Sequence, residues 1–318
     1  MAGFLIVMRV GKPFENHANP NNGLTVGLTG SAFMSFLILN ILFGSTFMLL
    51  IKWAHVRQTE DVLTIGAVNY IVAALLISPF FLGSPRELWT FEAFSTGASN
   101  GLAYFIAYFF VIFAIRWVGA ASTTVISVLS ILVPIGFGVY YWQEHPTQIQ
   151  VVGIFLALGA LSLMSGQKQT SRSAVGKPAI APLILLIFFL LCGVSRLAQE
   201  AYRYLGGTQD EILTYNFAVF FTAAVPSVIV LCYRRKKVTK SELVFGSAMG
   251  LANFLQTQFI LEALQVYPGF IVFPVVSAGA IIFTTLVATQ TLGEHLHRRS
   301  YVGILIASIS LILIRGGW

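Results

Sequence analysis

Long apolar runs alternate with short polar breaks along almost the whole chain. A helix needs about 20 apolar residues to cross roughly 30 Å of hydrocarbon. Ten stretches read as such spans: 31–51, 63–82, 94–115, 120–141, 149–164, 180–204, 213–233, 243–264, 269–292 and 301–314. The fifth and tenth are short, which predicts extension into their flanks or thinned lipid around them. The runs are apolar on all faces, unlike the alternating strands of a membrane barrel. Only helices satisfy their own backbone in lipid without such closure. The pattern therefore predicts an all-α, polytopic membrane protein with ten transmembrane helices.

The pattern also repeats. Residues 119–166 slide onto 269–316 by 150 positions without a gap. Gly119 meets Gly269, Ser127 meets Ser277, and Glu144-His145 meets Glu294-His295. Upstream, Gly101-Leu102-Ala103 recurs as Gly250-Leu251-Ala252, and Glu60 to Thr64 recurs as Asp210 to Thr214. A fixed internal period means a duplicated unit. Each unit holds five spans. Five is odd, so the second unit must enter the membrane from the opposite side, giving two inverted five-helix repeats. The boundaries that follow are a solvated N-terminal tail (1–30), a first repeat (31–166), a polar linker (167–179) and a second repeat (180–318).

Composition agrees. The chain is 57% hydrophobic and 10% charged, with mean hydropathy +0.82. Soluble domains carry about 25% charged residues. The net charge of +7 sits mainly in the polar breaks, which suits membrane anchoring and excludes a continuous basic face for nucleic acid. Cys192 and Cys232 lie far apart in apolar runs and predict no disulfide. The apolar segment 4–8 is shorter than the core of about 7–15 residues that a signal peptide needs. The lysine- and arginine-rich segment 234–240 argues that the loop after the seventh span is cytoplasmic, with both termini outside.

Several motifs carry a resemblance. Phe43-Gly44-Ser45-Thr46-Phe47 followed by Lys52 resembles the opening of EamA-like domains. Gly119-Ala120-Ala121 through Pro134, Glu144, Gly153 and Gly159 resembles their ending, which Gly293-Glu294, Gly303 and Gly316 match again. The chain after residue 31 thus resembles a ten-helix EamA-like transporter of the drug/metabolite transporter (DMT) superfamily. The resemblance implies a basket-like exporter of small metabolites, with a central cavity and alternating access. It departs from the pattern at Asn69-Tyr70, where many relatives place Arg before an aromatic, and at Gln143-Glu144, where Gly-Glu is usual.

The candidate chemistry is polar residues inside spans. Asn100, Tyr104 and Tyr108 stand four apart, on one helix face. Under the repeat, Tyr104 corresponds to Asn253, Ala107 to Gln256 and Tyr108 to Thr257. These two stripes, with Asn40 and Asn69, are candidates for a substrate cavity; interhelical bonding is the competing reading. In the sixth span, Arg196 is a candidate anchor for a substrate carboxylate. Glu200 can pair with it at i, i+4 and serve as counter-charge or proton carrier. Alternatively, the helix has left the hydrocarbon by Arg196. Glu144-His145 and Glu294-His295 sit at turns between spans; a metal or proton-relay reading competes with the expected role, a carboxylate near the positive end of the next helix. Gly153-x-x-x-Ala157 allows close packing, within the chain or in a homodimer.

No nucleophile, metal or nucleotide motif is present, and no catalytic residue, metal or cofactor is expected. The expected function is secondary-active export of a small polar, amino-acid-like metabolite across the plasma (bacterial inner) membrane. The expected partners are lipid, the small-molecule substrate and a coupling ion. A membrane-embedded enzyme, or a non-transporting receptor or channel, is the alternative.

Overall fold

The computed structural model describes residues 23–56, 61–165, 180–235 and 237–291, with scattered positions between 302 and 313. The described residues form helices and no strands. In chain order these are α1 (Gly23–Val56), α2 (Val62–Gly83), α3 (Phe91–Leu129), α4 (Leu132–Tyr140), α5 (Gln148–Ser165), α6 (Ala181–Tyr204), α7 (Ile212–Arg234), α8 (Lys240–Val266) and α9 (Gly269–Thr291). Among the described residues, five stretches are long and apolar enough to cross a membrane: Met34–Ile51, Val62–Gly83, Phe91–Ala114, Pro182–Tyr204 and Gln209–Arg234. The polar linker, Glu294-His295 and most of the expected tenth span lie outside the described residues. The N-terminal tail lies partly outside them, because α1 begins at Gly23, ahead of the expected start at residue 31.

Local chemistry explains the helix starts. The Asp61 carboxylate accepts from the Leu63 N–H at 3.2 Å and opens α2. Thr90 accepts from the Ala93 N–H at 3.4 Å and opens α3. At α8, Thr239 and Glu242 cap each other's backbone N–H groups at 3.2 and 2.9 Å. Such caps satisfy donors that the helix leaves unpaired.

The third and fourth expected spans share one helical run of 39 residues. Only Gly119 marks a break there, and one glycine costs a helix about 1 kcal/mol, far less than a proline. The run is nevertheless bent. A straight helix would separate Tyr104 from Ser127 by about 34 Å at 1.5 Å per residue. Yet Tyr104 bonds Gln199, and Ser127 bonds Arg196, three residues away on α6. The run ends where Pro134, in the first turn of α4, has no N–H for the Ser130 carbonyl four residues back.

Glycines set the closest approaches. A Cβ on Gly97 would lie 2.4 Å from the Tyr215 carbonyl oxygen, and one on Gly101 would lie 2.1 Å from that of Val219. The pairing ascends in both chains, so α3 and α7 run parallel. On α8, a Cβ on Gly246 would meet Val68 at 2.5 Å and the Ile65 carbonyl at 3.1 Å; one on Gly250 would meet the Asn69 carbonyl at 2.7 Å. So α8 runs parallel to α2. In contrast, α2 and α7 run antiparallel: Phe81 stacks on Phe217 at 3.9 Å, while Asp61 pairs with Arg234 at 2.6 Å. Between those ends, Ala73, Ala74, Ala223 and Ala224 share one buried cluster with Tyr202, Tyr215 and Phe220.

Candidate functional site

The interior polar residues fall into three connected groups. In the first, α1, α2 and α8 meet. The Asn40 side-chain amide donates to the Gln256 backbone carbonyl at 2.5 Å. Gln256 donates to Asn253 at 2.8 Å, and Asn253 donates to Asn69 at 3.3 Å. Thr257 turns back onto the Asn253 carbonyl at 2.9 Å. The second α8 stripe is thus drawn together with Asn40 and Asn69. Asn69 is fully buried, and its Nδ2 has no partner among the described residues.

The second group joins α2, α3, α6 and α7. Asn100 donates to the Tyr215 hydroxyl at 3.0 Å. The Tyr70 hydroxyl donates to the Tyr104 carbonyl at 3.0 Å, and that of Tyr108 to the Val62 carbonyl at 2.6 Å. Gln199 donates to the Tyr104 hydroxyl at 3.2 Å. The α3 stripe is held by neighbouring helices in the same manner as the α8 stripe. Asn69 and Tyr70 are adjacent on α2, so one turn of that helix joins the two groups.

Arg196 stands beside the second group, and its position has a local cause. The helix break imposed by Pro134 makes the Ile131 N–H bond the Val128 carbonyl at 3.0 Å, three residues back, not four. The Ser127 carbonyl is thereby released from the helical ladder. It accepts the Arg196 Nη1–H at 2.8 Å and the Ser130 hydroxyl at 2.6 Å. The same Nη1 also donates to Ser130 Oγ. Helix α6 continues eight residues beyond Arg196, about 12 Å. Arg196 therefore lies well inside the apolar stretch Pro182–Tyr204, not beyond its end. It is half-buried, and no carboxylate among the described residues pairs with it.

Glu200 is not the partner of Arg196 that the i, i+4 spacing predicts. Its Oε1 accepts from Arg203 at 3.2 Å and from the Gly269 N–H, at the start of α9, at 3.0 Å. The Arg203 guanidinium also approaches Glu144 Oε1 at 3.9 Å. The pairing changes because Glu200 is drawn towards the positive end of α9 and a shared guanidinium, away from the half-buried Arg196.

Glu144 departs from its expected capping role in the same way. Its carboxylate accepts the Tyr204 hydroxyl proton, and Trp142 stacks on Tyr204 at 4.1 Å. The start of α5 is capped by Thr147, whose hydroxyl accepts from the Gln150 N–H at 3.3 Å. Burial pushes the Glu144 carboxyl up from the usual range, against the opposing pull of Tyr204 and Arg203. This third group of Glu144, Glu200, Arg203 and Tyr204 was legible only in part, since nothing local ties residue 144 to residue 204. Gly153 and Ala157 are buried within the chain, so their small face packs internally. Among the described residues, no cluster has the His, Cys, Asp and Glu ligands of a metal site.

Comparison with known proteins supports the membrane reading. An uncharacterized protein of Haemophilus influenzae is 24% identical over 254 residues, covering 77% of this chain and 85% of that protein. A crystal structure superposes with a TM-score of 0.66 at 15% identity, covering 90% of this chain and 98% of the other, which is a likeness of fold. Residues 30–166 match the EamA-like transporter family. The apolar helices and this match together make the chain an integral membrane protein. Residues 30–166 thus match the EamA-like transporters of the DMT superfamily, a family whose members are membrane transporters and not enzymes.

Proposed function

We propose that the protein is a secondary-active carrier that exports a small polar, carboxylate-bearing metabolite, amino-acid-like in character, across the plasma (bacterial inner) membrane. Two inverted five-helix repeats enclose its path and alternate access between the two sides. The observation that carries this reading is Arg196. A charge at the centre of a spanning helix costs about 2.5–3.5 kcal/mol on insertion scales, so intramembrane charges face a cavity or a partner. Arg196 spends one nitrogen on Ser127 and Ser130 and meets no carboxylate among the described residues. A planar fork of donors suits a carboxylate. Tyr104, Gln199 and the Asn69–Asn253–Gln256 chain supply neutral hydrogen-bonding groups nearby in the fold.

The inverted arrangement is supported by the helix directions. Under the 150-residue repeat, α2 corresponds to α7 and α3 to α8. The contact of α3 with α7 then exchanges with that of α8 with α2, as a two-fold axis requires. Corresponding helices α2 and α7 run antiparallel. Ala73-Ala74 and Ala223-Ala224, which correspond, share a cluster where they cross. An axis through that crossing lies in the membrane plane.

Metabolite profiles of cells with and without the protein would identify the solute. Accumulation outside cells of a carboxylate solute that depends on Arg196 is the expected result. An unchanged profile, with no solute-dependent flux in liposomes, would leave the embedded receptor or channel reading.

A further inference from the structure

We infer that Glu200 and Glu144 form a shared proton-binding site, separate from the Arg196 anchor, at the junction of α6, the 141–147 turn and the start of α9. This rests on the carrier reading and names the ion the carrier would couple to.

The groups facing Glu200 are few. On α6 it is Arg203; the Arg196 guanidinium, one turn away, is engaged by Ser127 and Ser130 instead. From the 141–147 turn comes Glu144, with the Tyr204 hydroxyl bonded to it. From α9, among the described residues, comes only the Gly269 N–H. Two carboxylates therefore share one close guanidinium, Arg203, which leaves one negative charge in excess among the described residues. The Glu200 side chain is 2% exposed and that of Glu144 is 7% exposed, so water does not offset that charge well. Glu200 Oε1 takes both donors, and the buried Oε2 has none. A buried oxygen without a donor is costly, and two carboxylates sharing a site favour protonation of one. One proton from water, placed on Glu200 Oε2, leaves a neutral acid beside a Glu144–Arg203 pair and balances the cluster.

The backbone is shaped for this oxygen. A Cβ on Gly269 would lie 2.0 Å from Glu200 Oε2, and one on Gly138 would lie 2.3 Å from Glu144 Oε2. Each carboxylate thus occupies space that only a glycine leaves. Because the cluster ties α6 to α9 and to the 141–147 turn, loss of the proton would weaken that end of the bundle. Opening there would follow from charge.

The test is infrared titration of the purified protein in lipid nanodiscs, reading the carbonyl stretch of a protonated carboxyl. At about pH 6.5, well above the ~4.3 of an ordinary glutamate, the wild type should show this band and lose it on alkalisation. Glu200→Gln should abolish it. Glu144→Gln should abolish it too, because Glu200 and Arg203 then form a neutral pair. If Glu200→Gln does not fold, Glu144→Gln alone decides. A band that persists in the variants, or a wild type without one, overturns the proposal. The measurement needs no solute: a band without any carboxylate flux would leave the proton site standing and remove the carrier reading.

Discussion

Gly101 of α3 lies directly against the backbone carbonyl of Val219 on α7, so close that a Cβ would approach it to 2.1 Å. Gly250 of α8 lies against the Asn69 carbonyl of α2 in the corresponding way. These two contacts hold the halves together. Backbone cannot move aside as a flexible side chain can. Gly101→Val is therefore expected to force α3 and α7 apart and to cost at least the 1–3 kcal/mol, roughly, of an overpacked core. Gly250→Val should behave likewise. Thermal unfolding in nanodiscs checks this, with Gly83→Val, where no atom lies within 4 Å, as the tolerant control.

The Asn69–Asn253–Gln256 chain separates packing from transport. Asn253→Leu removes the partner of the buried Asn69 Oδ1. An orphaned buried polar group costs about 1–3 kcal/mol. Loss of stability with unchanged solute flux would make this chain interhelical bonding alone. A greater loss of flux than of folded protein is expected if the chain lines the solute path.

Glu144 makes stability depend on pH, with a definite sign. Its folded carboxyl titrates above the ordinary value of 4.5, chiefly because burial disfavours the charged form. Its contribution is thus fully present below that value and is lost as pH rises through the folded one. The melting temperature of the wild type should fall as pH rises out of the ordinary carboxylate range. In Glu144→Gln that slope should be smaller. An identical slope in both proteins would show that Glu144 does not carry the effect.

Much of this was legible in the chain, and the misses have physical causes. Apolar run length revealed the helical class, and five of the ten expected spans among the described residues, because lipid demands self-satisfied helices. The repeat paired Gly101 with Gly250 before any contact was known. The polar stripes containing Asn100 and Asn253 were visible as helical spacing. Their partners, Tyr215 and Asn69, were not, because interhelical contacts leave no periodic trace. Glu200 was assigned to Arg196 from spacing on one helix. The choice of Arg203 depends on Gly269 and Glu144, which are distant in sequence. Pro134 stands in the chain as a helix breaker. Its effect, freeing the Ser127 carbonyl for Arg196, required the fold.

The most direct measurement is counterflow of radiolabelled small carboxylates in liposomes containing the purified protein. Saturable exchange of at least one carboxylate solute is the expected result. Arg196→Leu should lower it at least tenfold, and Arg196→Lys should retain part of it. Exchange that is indifferent to Arg196, or flux only of solutes lacking a carboxylate, would contradict the account.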